Sequence, residues 1–84
     1  MTAMDLTTIQ AAGSVDARGS ACPGPLLEAK KGIGKVKVGE ILEIASNDAG
    51  TRNDLKAWAN KVGHGYIGFQ EVDGYDKHYV KRNK

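Results

Sequence analysis

The sequence predicts an α+β domain, a two-layer sandwich in the order β-α-β-α-β-β with two helices on one face of a four-stranded mixed sheet. Three observations carry this. Leu55, Trp58, Ala59 and Val62 stand at i, i+3, i+4 and i+7, the spacing of one helix face. Glu40 to Ser46 is too short for a helix of normal length and is rich in branched residues. Asp73-Gly74 joins two alternating runs in the manner of a tight hairpin turn. With 84 residues the chain can build one core and no second lobe. Residues 1–84 are therefore expected to form a single domain, fraying over residues 1–6.

The first strand, read over Thr7 to Ala17, begins weakly, since Ile9 and Val15 stand among small or polar neighbours and Gly13 interrupts them. It is strongest from Ser14 to Ala17. The first helix is expected over Gly24 to Lys35, opening in the segment Cys22-Pro23-Gly24-Pro25, where prolines are tolerated because first-turn N–H groups lack an intrahelical acceptor. Leu26, Ala29 and Ile33 share its apolar face with Leu27 beside them, and Gly32 and Gly34 weaken its end. Glu40 to Ser46 forms the second strand. The second helix runs from Arg52 to Val62, with Thr51 and Asp54 arranged like a capping box and Gly63 as its stop. Tyr66 to Val72 and Tyr75 to Arg82 form the terminal hairpin. Right-handed crossovers place both helices on one face and leave the other open to partners. Lys77, His78, Lys81, Arg82 and Lys84 make the tail basic, as suits an edge strand guarded against pairing with other chains.

Composition excludes several functions. Twelve Lys and Arg against ten Asp and Glu leave a net charge of +2, too small a bias to predict nucleic-acid binding, so no direct DNA binding is expected. Trp58, Tyr66, Phe69, Tyr75 and Tyr79 do not read as a base-stacking platform, because Trp58 belongs to the apolar stripe of the second helix. No apolar run is long enough for a membrane span or a signal-peptide core, which predicts a cytoplasmic protein without a membrane partner. A single cysteine forms no internal disulfide and no CxxC pair. His64 and His78 with Cys22 are too irregularly spaced to predict a metal site, and no cofactor is expected.

Cys22 is the candidate catalytic residue. A helix N-terminus carries partial positive charge and free N–H groups, which favour a thiolate and lower its pKa. Pro23 and Pro25 shape the turn, and Gly24 between them keeps the sulfur uncrowded. A cysteine without a resolving partner suits carriage of a second sulfur atom as a persulfide, whose anion the same helix end stabilises. The competing reading is a small buried hydrophobe, the commoner fate of a free cysteine.

Asp16-Ala17-Arg18-Gly19, two spacers, Cys22-Pro23-Gly24-Pro25-Leu26-Leu27 and then Lys30-Lys31 resemble the CPxP signature of the TusA/SirA-like sulfur-carrier family, from about Ser14 to Arg82. The resemblance implies a spatial strand order of 1-2-4-3. It also implies a sulfurtransferase whose cysteine accepts persulfide sulfur from a cysteine desulfurase or rhodanese-like donor and passes it to a downstream acceptor protein. Members serve tRNA thiolation, molybdenum-cofactor maturation or sulfur oxidation. By the same resemblance Asp48 matches an acidic position of the family, although Ala49 replaces the proline that commonly follows it. Lys30 and Lys31 match basic residues that meet partners. Arg18 is an auxiliary candidate for steering an anionic persulfide. Bland alternatives stand beside each: a turn aspartate for Asp48, a solvated strand-end arginine for Arg18, and dipole-complementing cations for Lys30 and Lys31.

Two further functions compete with the sulfur relay. One is a non-catalytic module that binds protein or RNA, with an incidental cysteine. The other is a thiol redox sensor.

Overall fold

Alternation along the second strand sets the architecture. The structure, a computed structural model, describes residues 11–19 and 24–84. Within them lie β1 (Gly13–Asp16), α1 (Gly24–Ile33), β2 (Ile41–Ser46), α2 (Thr51–Val62), β3 (Gly65–Val72) and β4 (Tyr75–Lys81). In β2, Leu42, Ile44 and Ser46 are buried, whereas the residues between them are half-buried. Strand pairing carries this face across the sheet, because residues directly opposite share a side. Leu42 lies opposite Val80 and Ile44 opposite His78, while Gly13 and Val15 pair with Leu42 and Ile44 from the other flank. Ala29 and Ile33 of α1, Leu55, Trp58 and Ala59 of α2, and Val36 close over it. Both helices therefore cover one face of a sheet ordered β1-β2-β4-β3, the expected fold class and strand order. Leu42, Ile44, Leu55 and Val80 are essentially inaccessible; burying each such side chain stabilises the fold by roughly 1.5–3 kcal/mol.

The glycines of the first half work differently from the sequence reading. Gly32 does more than weaken the end of α1: a Cβ there would stand 2.7 Å from Val15 Cγ1 and 3.2 Å from both Leu42 methyl groups. Its missing side chain lets α1 lie close on the β1–β2 pair. The helix stops at Ile33, short of Lys35, and Lys35 N–H closes the turn on Gly32 O at 2.9 Å. Gly13 opens β1 instead of interrupting it, tucked beneath Val36.

Two expectations need correction. Thr51 is not the N-cap of α2. It is the first helical residue, Gly50 holds the cap position without a side-chain bond, and the buried Thr51 hydroxyl pairs with Ser46 Oγ at 2.9 Å. The hydroxyl is drawn toward the sheet because its neighbour Ser46 is a buried polar group that needs a partner. The basic tail does not guard an edge either, because β4 lies inside the sheet between β2 and β3. Alternation then sends its side chains to opposite faces, which buries His78 completely and leaves Lys81 exposed.

The other boundaries follow the sequence. Gly63 ends α2 in the left-handed region, its N–H on Ala59 O. Asp73 and Gly74, both at positive φ, turn the hairpin. Trp58 is core, while Leu27 and Val62 are partly or largely exposed. Among the described residues no helix is long and apolar enough to cross a membrane.

Candidate functional site

β1, β2 and β3 all run antiparallel to β4 or parallel to a strand that does, so their C-terminal ends lie at one edge of the sheet. The N-termini of α1 and α2 begin at that edge, and so does the β3–β4 turn. Carboxyl ends of parallel strands joined to helix N-termini favour anionic groups. The chain that leaves β1 at this edge and enters α1 at Gly24 is the one that carries the CPGP sequence.

Cys22 and Pro23, with Ser20 and Ala21, lie outside the described residues. Gly24 opens α1, and Pro25 is its buried second residue. The flank on the β1 side is closely held. The Asp16 carboxylate accepts the Arg18 backbone N–H at 3.1 Å and, through both oxygens, the guanidinium at 2.8 Å. Arg18 holds the Asp16 pKa down at about 2, and the same pairing raises that of Arg18. The guanidinium carbon also stands 4.7 Å over the Tyr75 ring. Arg18 is thus neither a freely solvated arginine nor an unengaged cation. Gly19 follows with φ at 86° and donates its N–H to Asn47 Oδ1 at 3.0 Å.

The β2–α2 loop forms the other wall. Asp48 N–H bonds Ser46 Oγ at 3.1 Å, and Asp48 Oδ1 accepts Gly50 N–H at 2.9 Å, the turn geometry of a short acidic side chain. Lys30 and Lys31 stand in the last turn of α1. Lys31 lies 3.6 Å from Glu28 and is largely exposed, and Lys30 borders a shallow groove with Leu26, Trp58 and Lys61.

A larger open groove of about 450 Å³ lies beside this edge, bounded by Asn47, Arg52, Glu71, Tyr75 and Asp76. Arg52 donates from Nε and a terminal nitrogen to Asp76 at 2.8 and 3.1 Å, and to Glu71 at 3.1 Å. Its guanidinium also covers the Phe69 ring at 4.1 Å. Two carboxylates already engage this cation, so it is not poised to capture an external anion.

Behind Asp76 the network enters the core. His78 is wholly buried; its Nδ1 stands 2.9 Å from the Tyr66 hydroxyl and its Nε2 is 4.0 Å from Asp76 Oδ2, without a hydrogen-bond partner among the described residues. Burial pushes the His78 pKa down, and it pushes the Tyr66 pKa up to about 12. Tyr66 and Phe69, three apart, both meet His78 because β3 bulges between Tyr66 and Gly68. A strict period of two would have put them on opposite faces.

Sequence reasoning missed Asn47, Arg52, Asp76 and the interior position of His78. Only pairing across the sheet joins them. A signal did exist in the alternation of Asp76, His78 and Val80, which puts all three on one face once β4 is known to be central. Among the described residues no cluster of His, Cys, Asp or Glu could hold a metal ion.

Comparison with known proteins is consistent along the chain. The family model described as Sulfurtransferase TusA matches residues 14–82. A protein of Archaeoglobus fulgidus named as a candidate sulfur carrier is 41% identical over 70 residues, covering 83% of this chain and 96% of that one. YrkF of Bacillus subtilis, named likewise, is 40% identical over 68 residues, which are 81% of this chain but 37% of that longer protein. The crystal structure of a SirA-like protein from Desulfitobacterium hafniense superposes with a TM-score of 0.74 at 23% identity, covering 86% of this chain and 99% of that one. That likeness supports the fold.

Proposed function

We propose that this chain, which belongs to the TusA sulfurtransferase family of sulfur carriers, relays persulfide sulfur on Cys22 between a donor and an acceptor protein. The observation that carries the reading is that the family match over residues 14–82 spans the chain's one cysteine, in the segment entering α1.

The chemistry needs one sulfur on this chain. The Cys22 thiolate attacks the outer sulfur of a donor persulfide, the donor S–S bond breaks, and the donor cysteine leaves as a thiolate. Cys22 now bears the terminal sulfur. An acceptor thiolate then attacks that sulfur, the new S–S bond forms, and Cys22 thiolate departs. Neither step changes the total number of electrons or requires a cofactor. The N-terminus of α1 favours the anion at each stage through its free N–H groups and partial positive charge. Proline rings at positions 23 and 25 restrict φ on both sides of Gly24.

Donors of fitting chemistry are a cysteine desulfurase or a rhodanese-like protein, and a free thiolate of this kind belongs in a reducing compartment such as the cytoplasm. Lys30 and Lys31 supply cationic docking contacts. Arg18, paired with the Asp16 carboxylate and lying over Tyr75, orders the flank beside the loop, and Asp48 shapes the facing turn.

Incubation with a desulfurase and cysteine, followed by intact-protein mass spectrometry, tests the reading. The wild type should gain one sulfur, about 32 Da, and Cys22→Ser should gain none. Sulfur on the serine variant, or none on the wild type with either donor class, would leave the interaction module as the better reading.

A further inference from the structure

We propose that the end of the domain opposite the candidate site is a sequence-independent binding surface for the phosphodiester backbone of a nucleic acid. The inference goes beyond the sulfur relay and does not rest on it.

The net charge of +2 averages over two unlike ends. At the sheet edge far from the site, β2 and β3 begin and β4 finishes, so that Lys81 stands opposite both Ile41 and Gly65. Arg82 ties the loop before β2 to this edge. It accepts the Gly39 N–H, donates its own N–H to Glu40 O, and directs its guanidinium to Val36 O, between Lys35 and Lys37. Lys61 occupies the last turn of α2, and the Lys84 side chain lies beside the Gly63 stop, its Cε 2.8 Å from a Cβ built there. Lys35, Lys37, Lys61, Lys81, Arg82 and Lys84 are thereby gathered at one end. Among the described residues the carboxylate that accompanies them is Glu40, whose Oε1 accepts the Lys37 backbone N–H. None of the six cations has a side-chain carboxylate within 4.0 Å among the described residues, whereas Arg18 and Arg52 at the site edge each do. Burial, and after it the charges of Arg82 and Lys84, push the His64 pKa down.

The site edge has the opposite character. Asp16, Asp48, Asp54, Glu71, Asp73 and Asp76 stand there against Arg18 and Arg52. The six residues of β2 separate the two edges by roughly 20 Å. That is more than twice the Debye length of about 8 Å at physiological salt, so the ends act separately. A polyanion is held at the basic end and repelled by the acidic one, which leaves the candidate site open. A protein partner fits this end less well, because protein interfaces centre on a desolvated apolar or aromatic core. The large apolar side chains exposed here, among the described residues, are Val38 and Val62. Flexible lysines without fixed partners instead displace the counterions condensed on phosphates and read no base edge.

Fluorescence anisotropy of the full chain, titrated into short fluorescein-labelled RNA and DNA duplexes of one sequence, tests the proposal. On DNA the slope of log affinity against log salt should lie between about −3 and −5, a loss of roughly 10²- to 10³-fold between about 50 and 200 mM salt. Lys35→Gln/Lys37→Gln, at exposed positions, should flatten that slope by about 2 and weaken binding roughly tenfold or more at the lower salt. Lys56→Gln/Lys77→Gln, equal in net charge but placed along α2 and β4, should leave the slope unchanged. A duplex of scrambled sequence should bind alike. Binding to either duplex supports the proposal, and the comparison of the two assigns RNA or DNA as the source of the phosphates. Absence of binding at the lower salt would overturn it. So would equal losses in the two double variants, which would reduce the effect to net charge. Tighter binding to phosphatidylserine vesicles or to poly-glutamate than to either duplex would assign the surface to a membrane or an acidic protein and overturn it as well. No sulfur donor enters the titration, so failure of the relay and failure of this surface are read separately.

Discussion

Lowering the pH from 7.5 to 5.5 should destabilise this domain through one imidazole. His78 is wholly inaccessible, stacked near Phe69 and Tyr66, and its Nε2 lacks a partner at bonding distance. Burial lowers its pKa below the ordinary 6.5. Asp76 opposes the shift, Arg52 reinforces it, and Tyr66 supplies the bond to Nδ1. Above pH 6.5 the ring is neutral in both folded and unfolded chains and contributes no pH dependence. As the pH falls through 6.5 the unfolded chain takes up a proton that the folded one resists. Stability then declines by at most about 1.4 kcal/mol per pH unit until the folded-state pKa is reached, where the decline stops. At pH 5.5 the loss is at most about 1.4 kcal/mol, which for a domain of this size caps the fall in melting temperature at roughly 6 to 11 °C. Asp16, with its pKa at about 2, titrates well below this window. His64 also has a lowered pKa but is only half-buried, so His64→Gln should preserve most of the slope. Thermal unfolding at half-unit pH steps measures the loss, and the imidazole NMR shifts of each histidine assign it. A flat melting temperature from pH 7.5 to 5.5, or a folded-state His78 titrating at or above 6.5, would refute the reasoning.

Three further outcomes are expected. Gly32→Ala should lower stability by up to ~2 kcal/mol, because a methyl group 2.7 Å from Val15 Cγ1 overpacks the α1–sheet contact by more than the ~1 kcal/mol that alanine's helix propensity returns. Gly34→Ala, whose Cβ would among the described residues meet only Lys31 O at an ordinary 3.6 Å, should be neutral or stabilising in the same urea titration. Cys22→Ser should melt within a few degrees of wild type while losing all sulfur loading, as read by calorimetry beside mass spectrometry. Charge reversal at Lys30 or Lys31 should slow sulfur transfer from a donor protein, with the larger effect at low salt, and leave the alkylation rate of Cys22 unchanged.

Local chemistry was enough to read much of this protein from its sequence. Period 3.6 in Leu55 to Ala59, the Gly63 stop and the Asp73-Gly74 turn are each decided within a few residues, so they survive translation into the fold intact. The CPGP segment with its single cysteine is likewise a local statement, and its family resemblance supplied the strand order that periodicity alone does not contain. What the sequence left open depends on burial and on contacts between elements. The hydroxyl of Thr51 left its expected capping role because Ser46, five residues earlier at the end of β2, is buried and polar. His78 reads as one charge of a basic tail until β4 is placed between β2 and β3, where alternation turns it inward. The β3 bulge, invisible to a period-two pattern, then brings Tyr66 and Phe69 together on that ring. Asn47 holds Gly19 only because two parallel strands end side by side. Hydrogen bonds that satisfy buried polar groups and close approaches of backbone to backbone are properties of pairs, and the fold alone decides which residues become pairs.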